Sequence, residues 1–205
     1  ASWRSQPLKL IGFDGCRIMN LRNVRSAAHF WFGSGPLMLL WFVGTALVAM
    51  WFTFRDPAID HRLIILGCLL PDVIDRLYGK AWLLHTLSAP IVLMGTLMLA
   101  TIGRRHYRRR VLALPIGVFW HLVFDGAWMN TELFWWPATG LTFTNTGIPA
   151  DGRAFTLILL LELLGLVALC WTWRRMGLTN SARRKLFVRT GRLDRAITGP
   201  WVNSP

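Results

Sequence analysis

Gly67-Cys68-Leu69-Leu70-Pro71-Asp72-Val73-Ile74-Asp75 sets a proline and two carboxylates inside an apolar run. A charged side chain at mid-bilayer costs roughly 2.5–3.5 kcal/mol on insertion scales, so each aspartate there calls for a partner, for water or for a function. At a spacing of three the two can point to one side of a helical turn. The groups elsewhere in the chain able to meet them are His85, His121 and Asp125. The expectation is a small helical bundle in which polar residues from separate helices converge on this Pro-Asp turn.

The composition around that run points to a membrane protein. Of 205 residues, 54% are hydrophobic and 16% charged, and the mean hydropathy is +0.41, which is too apolar for a soluble domain of this length. The net charge of +13 is concentrated in Arg104-Arg105-His106-Tyr107-Arg108-Arg109-Arg110 and in the segment from Arg174 onward. Basic flanks of that kind mark the cytoplasmic ends of spans. They would also suit nucleic acid, but they abut apolar stretches and come with no nucleic-acid motif, so no nucleic-acid partner is expected. Cys16, Cys68 and Cys170 are far apart and predict neither a disulfide framework nor a CxxC metal site. The first ten residues lack the charged, apolar and small-residue succession of a signal peptide, and none is expected.

Working outward, five apolar segments cover about 36–54, 62–78, 82–102, 111–129 and 154–173. The predicted fold is therefore all-α: an integral membrane helical bundle of about five transmembrane segments, one of them short and interrupted by Pro71. Residues 1–26 read as a basic surface tail, 27–174 as the membrane helical domain and 175–205 as a basic cytoplasmic tail. His29 stands at the entrance of the first apolar segment, and His85, with Thr86 and Ser88, opens the third. His121 and Asp125, four apart, share a helical face. Glu162 is an intramembrane carboxylate in no motif, to be read as a neutral acid facing a neighbouring helix or as a supporting group. His61 and His106 sit beside arginines in polar loops and are expected to be solvated.

If all five segments cross, the arginine run and the C-terminal tail share the cytoplasmic side, and Asp72, Asp75, His85, His121 and Asp125 lie toward the outer face. A re-entrant 62–78 segment with the N-terminus inside gives the same side for those residues and differs only over His29. Carboxylate oxygens beside imidazoles suit zinc, manganese or iron better than calcium, with zinc or manganese the expected cofactor. The candidate ligands are Asp72, Asp75, His85, His121, Asp125 and His29, and Asp75, where uncoordinated, is also the candidate general base. Plainer roles remain open: an aspartate capping a helix or pairing with Arg76, and His121 with Asp125 as a hydrogen-bonded pair joining helices.

Ala28-His29-Phe30, Leu70-Pro71-Asp72-Val73-Ile74-Asp75, Leu84-His85-Thr86-Leu87-Ser88, His121-Leu122-Val123-Phe124-Asp125 and Phe134-Trp135-Trp136-Pro137 follow one another over roughly residues 27–140. In that order they resemble the boxes of the bacterial inner-membrane-associated metal-dependent hydrolases, also described as LexA-binding membrane hydrolases. Those boxes are a histidine opening the first span, Leu-Pro-Asp-hydrophobic-Asp, His-Arg-Gly-x-Thr-His-Ser, His-x-x-x-Asp and Leu-Trp-Pro. The chain departs from them in three ways. Its second aspartate is displaced by one residue, Lys80, Ala81 and Trp82 stand near the place of the first histidine of the His-Arg-Gly box, and Thr-His-Ser reads His-Thr-Leu-Ser. The resemblance implies a multi-pass inner-membrane, metal-dependent hydrolase. An ester or phosphoester substrate follows from the metal chemistry, and a lipid from the outward position of the cluster. Two other classes fit intramembrane carboxylates: an ion-coupled transporter, for which no second Pro-Asp repeat is found, and a scaffold whose basic tail binds anionic lipid or a cytoplasmic partner.

Overall fold

A computed structural model describes residues 38–54, 56, 58–78, 81–142, 153–194 and 196, so the expectations for the 1–26 tail and for His29 lie outside the described residues. Among those described, every regular element is helical. In chain order they are α1 (Leu39–Thr53), α2 (His61–Tyr78), α3 (Ser88–Ala100), α4 (Arg105–Val111), α5 (Ala113–Asp125), α6 (Thr131–Phe134), α7 (Phe155–Arg175) and α8 (Ser181–Thr190). Single 3-10 turns at Leu83–His85 and Ala127–Met129 follow α2 and α5.

Glycines let two helix pairs meet backbone to backbone. A Cβ on Gly67 would fall on the Leu114 carbonyl and one on Gly117 on the Ile64 carbonyl, which joins α2 to α5. Gly44 against the Gly165 carbonyl, and Gly165 against the Leu40 backbone, join α1 to α7 in the same way. The contacts advance together along each pair, Ile64 by Gly117 and then Cys68 by His121, Leu40 by Glu162 and then Phe52 by Trp171. Each pair is therefore parallel. Because α2 and α5 run the same way, α3 must return between their ends, and it does so from the 3-10 turn carrying His85 to the arginine run. Small residues at such contacts are what bundles in a bilayer use, where dispersion between close backbones replaces hydrophobic driving force.

The packed interior is built from Met38, Phe42, Met50, Ile64, Cys68 and Ala113. A second apolar cluster, Leu47, Trp51, Met176, Leu178 and Leu193, seats the segment after α7 against α1. By contrast α7 shows solvent a continuous apolar face, with Leu157, Leu159, Leu160, Leu163 and Leu164 all exposed.

Four expectations change. Among the described residues only α7, with 21 residues and a mean hydropathy of 2.2 over its most apolar window, is long and apolar enough to cross a membrane alone. The all-helical class stands, while a count of five spans does not follow from lengths such as the 13 residues of α3 and α5, about 20 Å at 1.5 Å per residue. Pro71 does not interrupt its segment, since α2 continues through it to Tyr78. It forfeits one backbone bond, and buried contacts on both sides, Gly67 on α5 and the two aspartates beyond, hold the helix through the gap. The arginine run is itself helix α4, and the basic tail forms α8, capped by Asn180 and closed by Gly191 at φ 70°. Finally, His61 is buried, because its amide and its Nδ1 both reach the Gly191 carbonyl, at 2.8 and 3.1 Å. His106 is exposed.

Candidate metal centre

Three elements deliver the polar groups. Asp72 and Asp75 leave α2 on one side, the 3-10 turn after α2 presents His85, and α5 supplies His121 and Asp125; all five are buried. The imidazole tautomers follow from their partners. His121 Nδ1 lies 2.7 Å from the Cys68 carbonyl, which can only accept, so Nδ1 carries the proton. His85 Nδ1 lies 2.6 Å from Asp75 Oδ2, which also accepts from the Trp82 amide at 2.7 Å. Both rings thus direct their Nδ1 protons outward and turn their Nε2 atoms toward each other, 3.4 Å apart. When both rings are neutral, the two facing lone pairs of this buried site are satisfied by a positive charge placed between them.

The neighbouring carboxylates complete that arrangement. Asp72 Oδ1 lies 3.5 Å from His121 Nε2 and 3.8 Å from His85 Nε2, and Asp125 Oδ2 lies 3.6 Å from His85 Nε2. Tetrahedral zinc with bonds of about 2.0–2.2 Å needs ligand atoms roughly 3.3–3.6 Å apart; among Asp72 and the two imidazoles the 3.4 and 3.5 Å edges fall in that range and the 3.8 Å edge lies just outside it. Asp72, His85 and His121 offer atoms all within 4.8 Å of one another and form a buried cluster that could hold a metal ion. Asp125 adjoins it at His85, and its Oδ2 has no hydrogen-bond partner among the described residues.

Further contacts fix these groups in place. Arg153 donates through Nη2 to the Asp125 backbone carbonyl and, at 3.1 Å, to Asp125 Oδ1. The Phe42 ring lies on His121 with centroids 4.2 Å apart. Thr86 and Ser88 bond to each other at 2.7 Å rather than to the imidazoles. The Leu87 amide bonds to the Phe134 carbonyl at 2.9 Å, so the segment after α5 braces the turn that carries His85.

Of the candidate residues read from the sequence, Asp72, His85, His121 and Asp125 come together around the two Nε2 atoms. Asp75 meets His85 at Nδ1, on the opposite side of the ring from that gathering point, and His29 lies outside the described residues. Glu162 takes a structural post: its carboxylate accepts from the amides of Leu40 and Trp41 at 3.2 and 3.3 Å and so caps the start of α1, where an anion complements the helix dipole. Sequence reasoning missed Arg153, the Trp82 amide and the Cys68 carbonyl. Only Arg153 left a signal, as a lone cation where a nearly uncharged loop meets an apolar helix. Protein-family models, curated proteins and solved structures were compared with the chain, and none matched. Any functional reading therefore rests on this site and its setting.

Proposed function

We propose that the protein is a membrane-embedded, metal-dependent hydrolase of ester or phosphoester bonds. The observation that carries this reading is the pair of oriented Nε2 atoms 3.4 Å apart with Asp72 Oδ1 beside them. Two imidazoles and one carboxylate leave a fourth position open, the pattern of hydrolytic rather than structural zinc, with manganese the next choice. A divalent ion there supplies Lewis acidity, acidifying water and polarising the substrate's carbonyl or phosphoryl oxygen.

The chain's own groups divide the remaining work. Asp72, His85 and His121 are the ligands, and Asp75 and the Cys68 carbonyl hold the two rings in the ligating tautomer. Asp125 Oδ2, free of hydrogen bonds on the open side, takes the proton from the attacking water and returns it to the departing alkoxide. Arg153 keeps Asp125 aimed through its other oxygen. In this reading Asp125, rather than Asp75, is the base.

Support for the bilayer comes from the apolar outer face of α7, from glycine-mediated helix contacts and from the sorting of charge. Cluster residues gather at one end of α2 and α5, and the arginines of α4 and the tail at the other, as the inner-membrane, arginine-inside arrangement requires. The succession of sequence boxes that resembles the inner-membrane metal-dependent hydrolases points the same way. The test is hydrolysis of a panel of phosphoester and carboxylic ester substrates, phospholipids included, by detergent-purified protein. Activity on one class, lost on chelation and restored by zinc or manganese, is the expected result; turnover unaffected by chelation would overturn the reading.

A further inference from the structure

Helix α4 carries Arg105, His106, Arg108, Arg109 and Arg110 in seven residues, with Arg104 at its N-cap position and no acidic residue in its first turn. Its charge works against its own fold. Arg104 with Arg108 and Arg105 with Arg109 are like charges four apart, which destabilise a helix, and although Arg108, Arg109 and Arg110 in the last turn suit the helix dipole, Arg104 and Arg105 at its start oppose it. So short a helix is also marginal alone. Among the described residues none of these arginines forms an ion pair. Arg105, His106, Arg108 and Arg109 instead line a recess of about 390 Å³.

Exposed apolar side chains neighbour these arginines in the chain. Leu99 and Ile102, before α4, are about 70% exposed, at 71% and 70%, and Tyr107 is exposed on α4 itself. Cations beside uncovered aliphatic side chains match the boundary between phosphate headgroups and acyl chains, not a nucleic-acid groove. Arginine suits that task because its planar fork pairs with phosphate oxygens two at a time.

We infer that the α4 recess is a binding site for the phosphate headgroup of an anionic phospholipid, whose charge offsets the arginine repulsion and anchors this end of the bundle. The inference rests on the membrane reading of the chain but not on the metal reading.

Native mass spectrometry of the detergent-solubilised full chain tests it, with phosphatidylglycerol and phosphatidylcholine as competing probes. The expected result is retained phosphatidylglycerol adducts on the wild type, reduced at least about tenfold in an R105Q/R108Q/R109Q variant, and unchanged in an R183Q/R184Q/K185Q variant of α8. Equal loss in both variants would overturn the site in favour of diffuse charge attraction. Displacement of the lipid by millimolar inorganic phosphate would assign the recess to a free anion, and tighter retention of a short DNA duplex to nucleic acid; either overturns the inference. A melting temperature no lower than that of the wild type in both variants separates these outcomes from misfolding. If the wild type is found in the soluble fraction of cells rather than with membranes, the membrane reading itself has failed.

Discussion

Helix α2 carries charge at both ends, and the two ends treat it oppositely. At its start Asp60 Oδ1 accepts from the Arg62 amide and Nε at 3.1 and 3.0 Å, and Oδ2 accepts from Nη2 at 2.9 Å. The remaining arginine nitrogen, Nη1, donates to the carbonyls of Val188 and Arg189, both at 3.1 Å, and so caps the end of α8. Charge there is paired one to one, and all three guanidinium nitrogens of Arg62 donate. At the other end two buried imidazoles turn their Nε2 atoms to one point, with carboxylates of Asp72 and Asp125 around it and Asp125 Oδ2 without a hydrogen-bond partner among the described residues. A latch finishes its own bonding; a binding site leaves bonding for its ligand. Groups left incomplete in a buried site are costly unless something else completes them.

The comparison breaks most directly at His121. Replacing it by Ala removes a ligand and should lower metal affinity by more than the roughly 10–100-fold typical of losing a supporting partner, whereas Asp60→Asn should leave bound metal unchanged. Equilibrium dialysis against zinc reads both. Similar losses in the two variants would mean that the ends of α2 do not differ as described.

Next in size is the contact that sets α2 against α5. A methyl at Gly117 meets the Ile64 carbonyl, so Gly117→Ala should destabilise by about 1–3 kcal/mol or more, the range for overpacking. Bound metal should fall with it as His121 is pushed from Asp72. Gly95 has nothing within 4 Å, and Gly95→Ala should be neutral or stabilising by about 0.5–1 kcal/mol. Thermal unfolding in detergent distinguishes them.

Asp75→Asn keeps an acceptor for the Trp82 amide but weakens the hold on His85 Nδ1. Metal affinity should fall about 10–100-fold with the fold intact. A larger loss, equal to that of His121→Ala, would instead make Asp75 a ligand.

The smallest effect is at the latch, and it depends on pH. Burial would raise the Asp60 carboxyl, but the bonds and charge of Arg62 outweigh it and hold it below its ordinary 3.8. With the folded value depressed, the latch contributes fully above that ordinary value, and its contribution is lost as pH falls through the lower folded value. Protease cleavage within 181–190 should therefore rise only in acid, as pH falls below the ordinary carboxyl value of 3.8. A rise already near neutral pH would contradict it.

The site was largely legible because each of its residues is a polar interruption of an apolar run, and in such a run polarity needs a reason. Asp75 could be identified but not assigned, since its bond to His85 Nδ1 depends on the turn at Leu83–His85 folding back onto α2. The basic helices were hidden: α4 and α8 have no apolar period, and α8 is held by Asn180 at one end and by Arg62 at the other. Burial of His61 was equally unreadable, because the carbonyl that covers it belongs to Gly191, 130 residues away. Pro71 suggested a break by local rules that the packing around Gly67 overrides.

Metal content of detergent-purified protein tests the central claim most directly, measured together for the wild type, Asp72→Asn, Asp125→Asn and Glu162→Gln. The three variants keep side-chain volume and one of the two carboxylate acceptors, so each should remain folded. The account predicts close to one zinc or manganese ion per chain in the wild type and in Glu162→Gln, whose carboxylate only caps α1. It predicts little metal in Asp72→Asn and an intermediate amount in Asp125→Asn. Equal metal in all four, or none in the wild type after zinc and manganese are supplied, would contradict it.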